Sequence, residues 1–259
     1  MLITSRDNPT VKLAAKLLSS TKARHESGCF IAEGIRLCRD AVESESEIKC
    51  FLYTAEAAQK YHEDFILVSS QSEASYELST SLYNKLSNTN TPQGFMCIIS
   101  KNTKNIMKSI VAGKRYAALE NIQDPSNLGT ILRTCEALGA DGVILSSDCC
   151  DIYSPKVVRG SMGAVFRLPF MIVRDFRKFI TNSVSDGIIC YASTPYDAYD
   201  IEDVDFSGGG IMLIGNEGNG LRDDTIKACN QRVRIRMNGR AESLNASAAA
   251  AILIYRFII

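Results

Sequence analysis

Short apolar runs that alternate with helical stretches constrain the second half of this chain more than any other feature of its sequence. A strand made of such a run is apolar on both faces, so helices must cover both sides, as they do in a parallel sheet. The runs lie at 116–120, 143–146, 170–173, 188–192 and 211–214. A turn at 124–127 introduces a predicted helix at 128–138, and the last segment, 246–259, is apolar nearly all round, which predicts a buried helix. The pattern therefore predicts an α/β fold.

A second α/β pattern occupies roughly the first 100 residues. Helical spacing occurs at 9–18, 34–42 and 56–61, and extended runs occur at 29–33, 48–53, 65–69 and 94–99. The stretch 101–113 is polar with a short helical piece, as expected of a connection between domains. We therefore predict a smaller α/β domain at 1–103, a linker at 104–113 and a larger domain at 114–259.

The composition limits the classes of protein to which the chain can belong. Hydrophobic residues make up 46% and charged residues 22%, as in an ordinary packed protein. No apolar run reaches the roughly 20 residues that span a bilayer, and the first residues lack the apolar core of a signal peptide. We therefore expect a cytoplasmic protein with no membrane partner. Nine cysteines without CxxC spacing and only two histidines indicate reduced core thiols and no metal site.

The first candidate motif combines Asn127, Gly129 and Arg133 at the start of a predicted helix. The glycine lets the backbone approach a ligand, and the planar guanidinium suits a phosphate or a carboxylate. A helix N-terminus with a surface arginine is the plainer interpretation.

The second motif, 215–220, is a glycine-rich turn around Glu217 that exposes backbone N–H and C=O groups directly after a strand. Its order, GxxGxG, departs from the GxGxxG of dinucleotide-binding folds, and a plain turn is the alternative.

The third motif lies around the start of the last helix. Ser243, Asn245 and Ser247 are good N-cap residues, and helix capping is the simplest explanation for them. Their number exceeds what one cap requires, so spare hydroxyl and amide groups predict a polar site.

Taken together and in this order, the motifs resemble the SpoU-type (TrmH-like) branch of the SPOUT superfamily of RNA ribose 2′-O-methyltransferases. The resemblance covers about 114–259 and rests on Asn127, Gly129, Arg133, Gly215, Glu217, Gly220, Met237, Gly239, Ser243, Leu244, Asn245 and Ser247. Two residues depart from the family pattern, since Arg236 stands where proline is usual and Ala246 where valine is usual. The segments 5–11 and 30–34 with Arg36 are similar to the ribosomal-protein-like (L30e-like) substrate-binding domain that precedes the catalytic domain in many ribosomal RNA members.

The resemblance implies a parallel-sheet SPOUT domain with a C-terminal trefoil knot, and S-adenosylmethionine as the cofactor. The cofactor would be held by three loops, at 192–195, 215–220 and 235–244. The residues expected to contact it are Thr194, Gly215, Asn216, Gly220, Ile235, Met237 and Leu244.

The resemblance also implies roles at the reacting ribose. A guanidinium stays protonated, so we expect Arg133 to bind the target phosphate and stabilise the developing alkoxide rather than act as a base. Asn127 and Asn245 would orient the ribose, and Ser243 would line the site. For Glu217 the resemblance allows a structural and a catalytic role equally. The resemblance further implies a homodimer in which one subunit's Arg133 region completes the other's cofactor site.

The partner that the resemblance implies is RNA. The zero net charge allows local basic tracks, and the track near the start of the chain supplies candidate phosphate contacts. These are Arg6, Lys22, Arg24 and Arg36. The front domain favours ribosomal RNA, most of all 23S rRNA, over transfer RNA.

Three alternatives remain at this point. The substrate could be transfer RNA, or the protein could be a catalytically silent RNA-binding member of the same fold. A nucleotide-binding oxidoreductase is disfavoured, because Arg236 and Arg240 occupy the place, about 20 residues after the turn, where an acid would read the ribose.

Overall fold

The computed structural model describes residues 2–101, 105–241 and 243–259. The chain divides into two compact units, Met1–Lys104 with Asp151–Phe166, and Asn105–Cys150 with Arg167–Ile259. The segment 151–166 therefore makes its contacts in the first unit, although it follows the first part of the second unit in the chain. The start of the predicted linker, Lys104, lies outside the described residues, and the boundaries predicted from the sequence stay a prediction.

Each unit contains one sheet in the described part of the chain. The strands are β1 (Leu2–Ile3), β2 (Cys29–Glu33), β3 (Ile48–Tyr53), β4 (Ser75–Leu78), β5 (Phe95–Ser100), β6 (Arg115–Leu119), β7 (Gly142–Ser146), β8 (Phe170–Val173), β9 (Cys190–Ser193), β10 (Tyr199–Asp200), β11 (Gly210–Ile214) and β12 (Gln231–Arg234). The first sheet has the order β1-β4-β3-β5-β2 and the second has the order β10-β12-β9-β11-β6-β7-β8. The second sheet is parallel throughout, which confirms the prediction from the apolar runs.

The helices lie mostly between successive strands, as in other α/β folds. They are α1 (Pro9–Ser19), α2 (Thr21–Ser27), α3 (Ile35–Glu43), α4 (Ala55–Lys60), α5 (His62–Ser70), α6 (Thr80–Leu86), α7 (Pro125–Leu138), α8 (Pro155–Gly160), α9 (Ala164–Arg167), α10 (Phe176–Ser185), α11 (Asp223–Ala228) and α12 (Ala246–Ile258), with a 3₁₀ turn at Ile201–Asp203. No helix of the described residues is long and apolar enough to cross a membrane.

The core of each unit forms where helices cover its sheet. In the first unit, Leu17, Leu52 and Tyr83 are fully buried in one cluster. In the second, Ile144 and Leu213 are buried beneath Ile180 of α10. Five of the nine cysteines are buried, as a core role requires.

Two predictions of secondary structure are wrong. The apolar run 65–69 belongs to α5, because acids at Glu63 and Asp64 favour a helix start and only Val68 is buried, while Ile66 is 53% exposed. The short helical piece predicted within 101–113 is absent from its described part, 105–113. The sequence pattern did not predict the helices α2 and α6 or the strands β1, β4, β10 and β12.

The last helix is present, but it is buried on one face alone. Its buried residues fall on a stripe that packs against α7, β11 and β6. Ile252 is 42% exposed and Tyr255 is 57% exposed. A helix that is apolar all round thus leaves an apolar face uncovered in the single chain. The knot that the resemblance implies stays a prediction.

Candidate active site

The three predicted cofactor loops follow neighbouring strands of the parallel sheet. β12, β9 and β11 are adjacent in the strand order, and all of their pairings are parallel. The loops that begin at Thr194, Gly215 and Ile235 therefore leave the same edge of the sheet, where ligands bind in open α/β folds. The Thr194 N–H donates to the Val233 carbonyl at 3.0 Å, which joins the first loop to β12, the strand that precedes the third loop.

The loop 215–220 is folded tightly on itself. Asn216 and Gly220 exchange two backbone hydrogen bonds of 3.0 Å, and the Asn216 side-chain oxygen accepts from the Gly218 and Asn219 N–H groups. A Cβ atom at Gly215 would lie 2.1 Å from the Gly220 carbonyl carbon, and Gly220 has a φ of +67°. Both glycines are therefore required by the shape of the loop. The side chain of Asn216, predicted to lie beside the cofactor, is occupied in shaping this loop.

Glu217 joins the loop to the start of α7. Its carboxylate accepts from the Asn127 amide at 3.0 Å and from the Asp124 and Gln123 N–H groups at 3.3 and 3.4 Å. Partial burial raises the pKa of this carboxyl, but the hydrogen bonds from Asn127 and the backbone outweigh it, so the pKa lies below its ordinary value. Glu217 is therefore ionised at neutral pH.

A chain of side-chain hydrogen bonds continues from Glu217 to the last helix. The Asn245 amide donates to the Asn127 oxygen at 3.1 Å, and the Asn245 oxygen accepts from the Ser247 and Ala248 N–H groups as the N-cap of α12. Asn127 is 6% exposed. Each amide donates on one side and accepts on the other, so its orientation follows from the network. The structure thus brings together Glu217, Asn127 and Asn245 from three separate motifs.

Arg133 lies on a different side of α7. It follows Asn127 by six residues, which is a rotation of roughly 120° around the helix. Its exposed side chain lines a cavity of about 720 Å³ with Thr130 of α7 and with Ile252 and Tyr255 of α12. Arg133 forms no ion pair within the described residues.

The third loop is held at its start by an acid that the analysis of the sequence missed. Asp200 accepts from the Arg234 Nε at 2.6 Å and from the Arg236 Nε at 2.8 Å. These hydrogen bonds hold the pKa of the Asp200 carboxyl below its ordinary value. Asp200 and Arg234 are paired between β10 and β12, and only that register could have identified the acid. The arginine that replaces the usual proline at 236 thus has a partner.

Most of the described residues in the rest of the third loop are exposed. Met237 and Leu244 are each 37% exposed, Ser243 is exposed, and Ile235 is half-buried. Apolar side chains that are exposed beside a tightly folded loop are suited to contact a ligand.

A buried acid, also missed, supports the end of the 215–220 loop. Glu120 follows β6 and is 1% exposed, and it accepts from the Arg222 N–H at 2.8 Å and from the Thr225 hydroxyl at 2.7 Å. An acid at the end of an apolar strand was the signal for it in the sequence. These hydrogen bonds tie the end of β6 to the start of α11, which is a structural role.

The predicted RNA contacts of the first unit fall into two groups. Arg6, Lys22 and Arg36 are exposed. Arg24 is 3% exposed, and its guanidinium donates to the Asp151 carboxylate at 2.7 Å, to the Leu17 carbonyl and to the Thr21 hydroxyl. Because its donors are engaged inside the unit, Arg24 is not available to a phosphate, and we leave it out of the proposed RNA contacts.

Comparison with known proteins identifies both parts of the chain. The SpoU rRNA Methylase family matches residues 114–255, and the MRM3-like substrate binding domain matches residues 8–97. An uncharacterized tRNA/rRNA methyltransferase of Synechocystis is 31% identical over 254 residues, covering 98% of this chain and 92% of that protein. A 23S rRNA (guanosine(2553)-2′-O)-methyltransferase of Bacillus subtilis is 27% identical, covering 93% and 92%.

A solved structure agrees with these matches. The AdoMet-bound rRNA methyltransferase from Sinorhizobium meliloti has a TM-score of 0.86 and 29% identity, and the match covers 99% of this chain and 96% of that one. Since the family match spans more than half of the chain and the similarity to the Synechocystis relative extends along nearly all of it, the chain belongs to the SpoU rRNA methylase family.

Proposed function

We propose that this protein is an S-adenosylmethionine-dependent methyltransferase that modifies a ribose 2′-hydroxyl of ribosomal RNA. The observation that carries the proposal is the hydrogen-bonded set of Glu217, Asn127 and Asn245, which lies beside the three loops at the carboxyl edge of the sheet. The Bacillus subtilis relative acts on 23S rRNA, which favours ribosomal over transfer RNA. A cytoplasmic location agrees with this role and stays a prediction.

The residues present fit S-adenosylmethionine. The backbone groups of Gly215, Gly220 and Ile235 offer donors and acceptors at the sheet edge, and Met237 and Leu244 offer apolar side chains that are 37% exposed and that a bound adenosine would cover. Thr194 and Asn216 belong to the same loops. When bound, the cofactor supplies an electrophilic methyl group on a positively charged sulfur.

The chain's own residues position the ribose and manage its proton. The 2′-oxygen forms a bond to the methyl carbon while the bond from that carbon to sulfur breaks, and the hydroxyl proton leaves. Arg133 binds the adjacent phosphate and stabilises the charge on the oxygen; because its guanidinium is already protonated, the phosphate or a water relays the proton away from the site. Asn127 and Asn245 orient the ribose, and Ser243 lines the site.

Glu217 acts as a positioning residue in this proposal. Its carboxylate already accepts from the side-chain amides of Asn127 and Asn216 and from two backbone N–H groups, so it holds Asn127 at the ribose. An acid engaged in this way and kept ionised is a poor proton acceptor, since its pKa is lowered.

The exposed apolar face of α12 supports a homodimer. Ile252 and Tyr255 lie uncovered beside the Arg133 side chain, and a second copy would cover them. Such a dimer would carry Arg133 of one protomer to the hydrogen-bonded set of its partner. This arrangement explains why Arg133 lies on another side of α7 from Asn127.

Methyl transfer is the direct test of the proposed function. Tritiated S-adenosylmethionine is incubated with unmodified ribosomal RNA and, separately, transfer RNA. We expect label in ribosomal RNA, and a loss of about 10²–10³-fold for Arg133→Ala, because one charge-stabilising group is removed. Label in transfer RNA alone would overturn the choice of substrate. RNA binding without any transfer would support the silent binding protein instead.

Mixing two variants of low activity tests the sharing of the site. Arg133→Ala and Glu217→Ala should each lose about 10²–10³-fold of the activity alone, yet a hybrid dimer retains one intact site if Arg133 acts across the interface. Random exchange should then restore about a quarter of the wild-type activity. No restoration after exchange, or a monomeric mass in light scattering of the active wild type, would contradict the shared site.

A further inference from the structure

A polar cleft of about 470 Å³ lies within the first unit. One wall is the start of α3, with Gly34 and Arg36, and another is the end of α8, with Arg159. The loop 88–93 completes it. The cleft has the volume of a small-molecule pocket, which is enough for a nucleotide.

Two arginines in this cleft lack partners. Arg36 and Arg159 are exposed, and neither forms an ion pair or side-chain hydrogen bond within the described residues. Two further arginines of the unit are paired, Arg24 with Asp151 and Arg39 with Asp64. Arg36 also lies in the first turn of its helix, where a positive charge is unfavourable for the helix itself. Helix stability therefore does not explain its position.

The facing loop is held in place and presents polar groups. The Gln93 side-chain oxygen accepts from the Ile35 N–H at 3.1 Å, and the Thr89 hydroxyl donates to the Glu33 carboxylate at 3.1 Å. Asn88 and Asn90, on either side of Thr89, are exposed. Their amides carry both donors and acceptors, which is the chemistry needed to contact the edges of nucleobases.

We propose that this cleft binds a single-stranded segment of the RNA substrate, with Arg36 and Arg159 on its phosphates and the 88–93 loop against its bases. The proposal rests on the RNA-methylating function proposed above and assigns part of its substrate binding. Unpaired arginines supply the affinity for the phosphates, and the amides require bases that are not already paired. Arg159 belongs to the segment 151–166, so a residue within the methylase family match contributes to binding in the first unit.

Fluorescence anisotropy without cofactor tests this cleft. The probes are a labelled single-stranded RNA of about 12 nucleotides and a duplex of the same length. The wild type should prefer the single strand. Arg36→Ala and Arg159→Ala should each weaken binding about tenfold at roughly 0.1 M salt and lower the salt slope by about 0.7. Lys85→Ala, an exposed cation on α6 outside the cleft, is the matched control.

Arg159→Lys separates charge from fold, since it should recover the salt slope. Binding by both alanine variants equal to that of Lys85→Ala would overturn the cleft, as would a preference for the duplex. Methyl transfer separates the two proposals. If the alanine variants transfer methyl groups at the wild-type rate with an unchanged KM for RNA, the proposed cleft is contradicted and the proposed function is supported. If the wild type methylates no RNA but the two alanine variants still lose RNA binding, the proposed cleft is supported and the proposed function is contradicted.

Discussion

The hydrogen-bonded set of the second unit and the cleft of the first unit differ in how far their polar side chains are engaged. In the second unit, Glu217, Asn127 and Asn245 are bonded to one another, and Asp200 holds two arginines. In the first unit, the cleft keeps its two arginines unpaired. A site that must place a reacting oxygen needs side chains that are already fixed, whereas a surface that attracts a polyanion needs charge that is still available.

The comparison predicts different consequences of mutation. Changes in the second unit should disturb geometry, and therefore turnover or cofactor affinity. Changes in the cleft should leave both intact and alter RNA affinity and its dependence on salt.

Gly215→Ala should reduce methyl transfer to the background of the assay. The added Cβ would lie 2.1 Å from backbone atoms of Gly220 and Leu221, so the loop could not close as it does. Gly218→Ala is the matched control, because its Cβ would meet only the Asn216 side chain at an ordinary 3.5 Å. Cofactor binding by calorimetry should be lost in the first variant and kept in the second. Equal behaviour of the two would show that the loop adjusts freely.

Glu217→Ala should lower kcat by about 10²–10³-fold, because Asn127 and the start of α7 lose the group that fixes them. Glu136→Ala, on the same helix with an ion pair to Arg167, is the control and should change kcat little. Steady-state kinetics with saturating RNA and cofactor measure the effect. If Glu217→Ala had the kcat of the wild type at neutral pH and a lower kcat only at low pH, the role of Glu217 in holding Asn127 and the start of α7 would be contradicted.

Arg24→Ala should destabilise the protein by about 3–5 kcal/mol, because it leaves the buried Asp151 carboxylate without its partner. Arg36→Ala should change stability by less than about 0.5 kcal/mol, since Arg36 is exposed and unpaired. Urea denaturation of the two variants makes the comparison within one unit. Similar losses of stability in the two variants would mean that Arg36 also stabilises the fold, which would contradict a difference between the paired and the unpaired arginine.

Asp200→Asn should weaken cofactor binding on the order of tenfold at neutral pH and leave kcat nearly unchanged, because the start of the third loop loses two charge-assisted hydrogen bonds. The pKa of Asp200 is held below its ordinary value, so its contribution is complete above that value and is lost as the pH falls through the lowered one. The gap between the cofactor affinities of wild type and variant should therefore persist down to pH about 4 and narrow only below it. Calorimetric titration with cofactor at several pH values measures it, and a constant gap would exclude the ionised carboxylate as the cause.

Local patterns predicted much of the fold. The alternation of continuous apolar runs with helices gave the parallel sheet, and β2, β3 and β8 have the bounds expected of them. The run at 65–69 was assigned to a strand because a short apolar run has no period that separates a buried strand from a helix. The partial exposure of α12 escaped prediction for a related reason, since periodicity does not reveal which faces find a partner in the same chain.

The candidate site was predictable in its parts and not in its connections. The residues at 127, 217 and 245 were identified by motif, but their mutual hydrogen bonds depend on three segments meeting at one place. Arg24 shows the opposite case, because a basic residue in a basic track gave no sign that it would be buried against Asp151.

The sequence by itself determined the class of fold, the positions of the glycine-requiring turn and the polar motifs, and the family to be tested, because these depend on period, residue type and spacing along the chain. The tertiary structure alone decided which acids are partners of which arginines. Asp200 meets Arg234 through strand register, Asp151 meets Arg24 inside the first unit, and Arg159 lines the same cleft as Arg36. Charge pairing depends on distance in space, and only the folded chain fixes that distance.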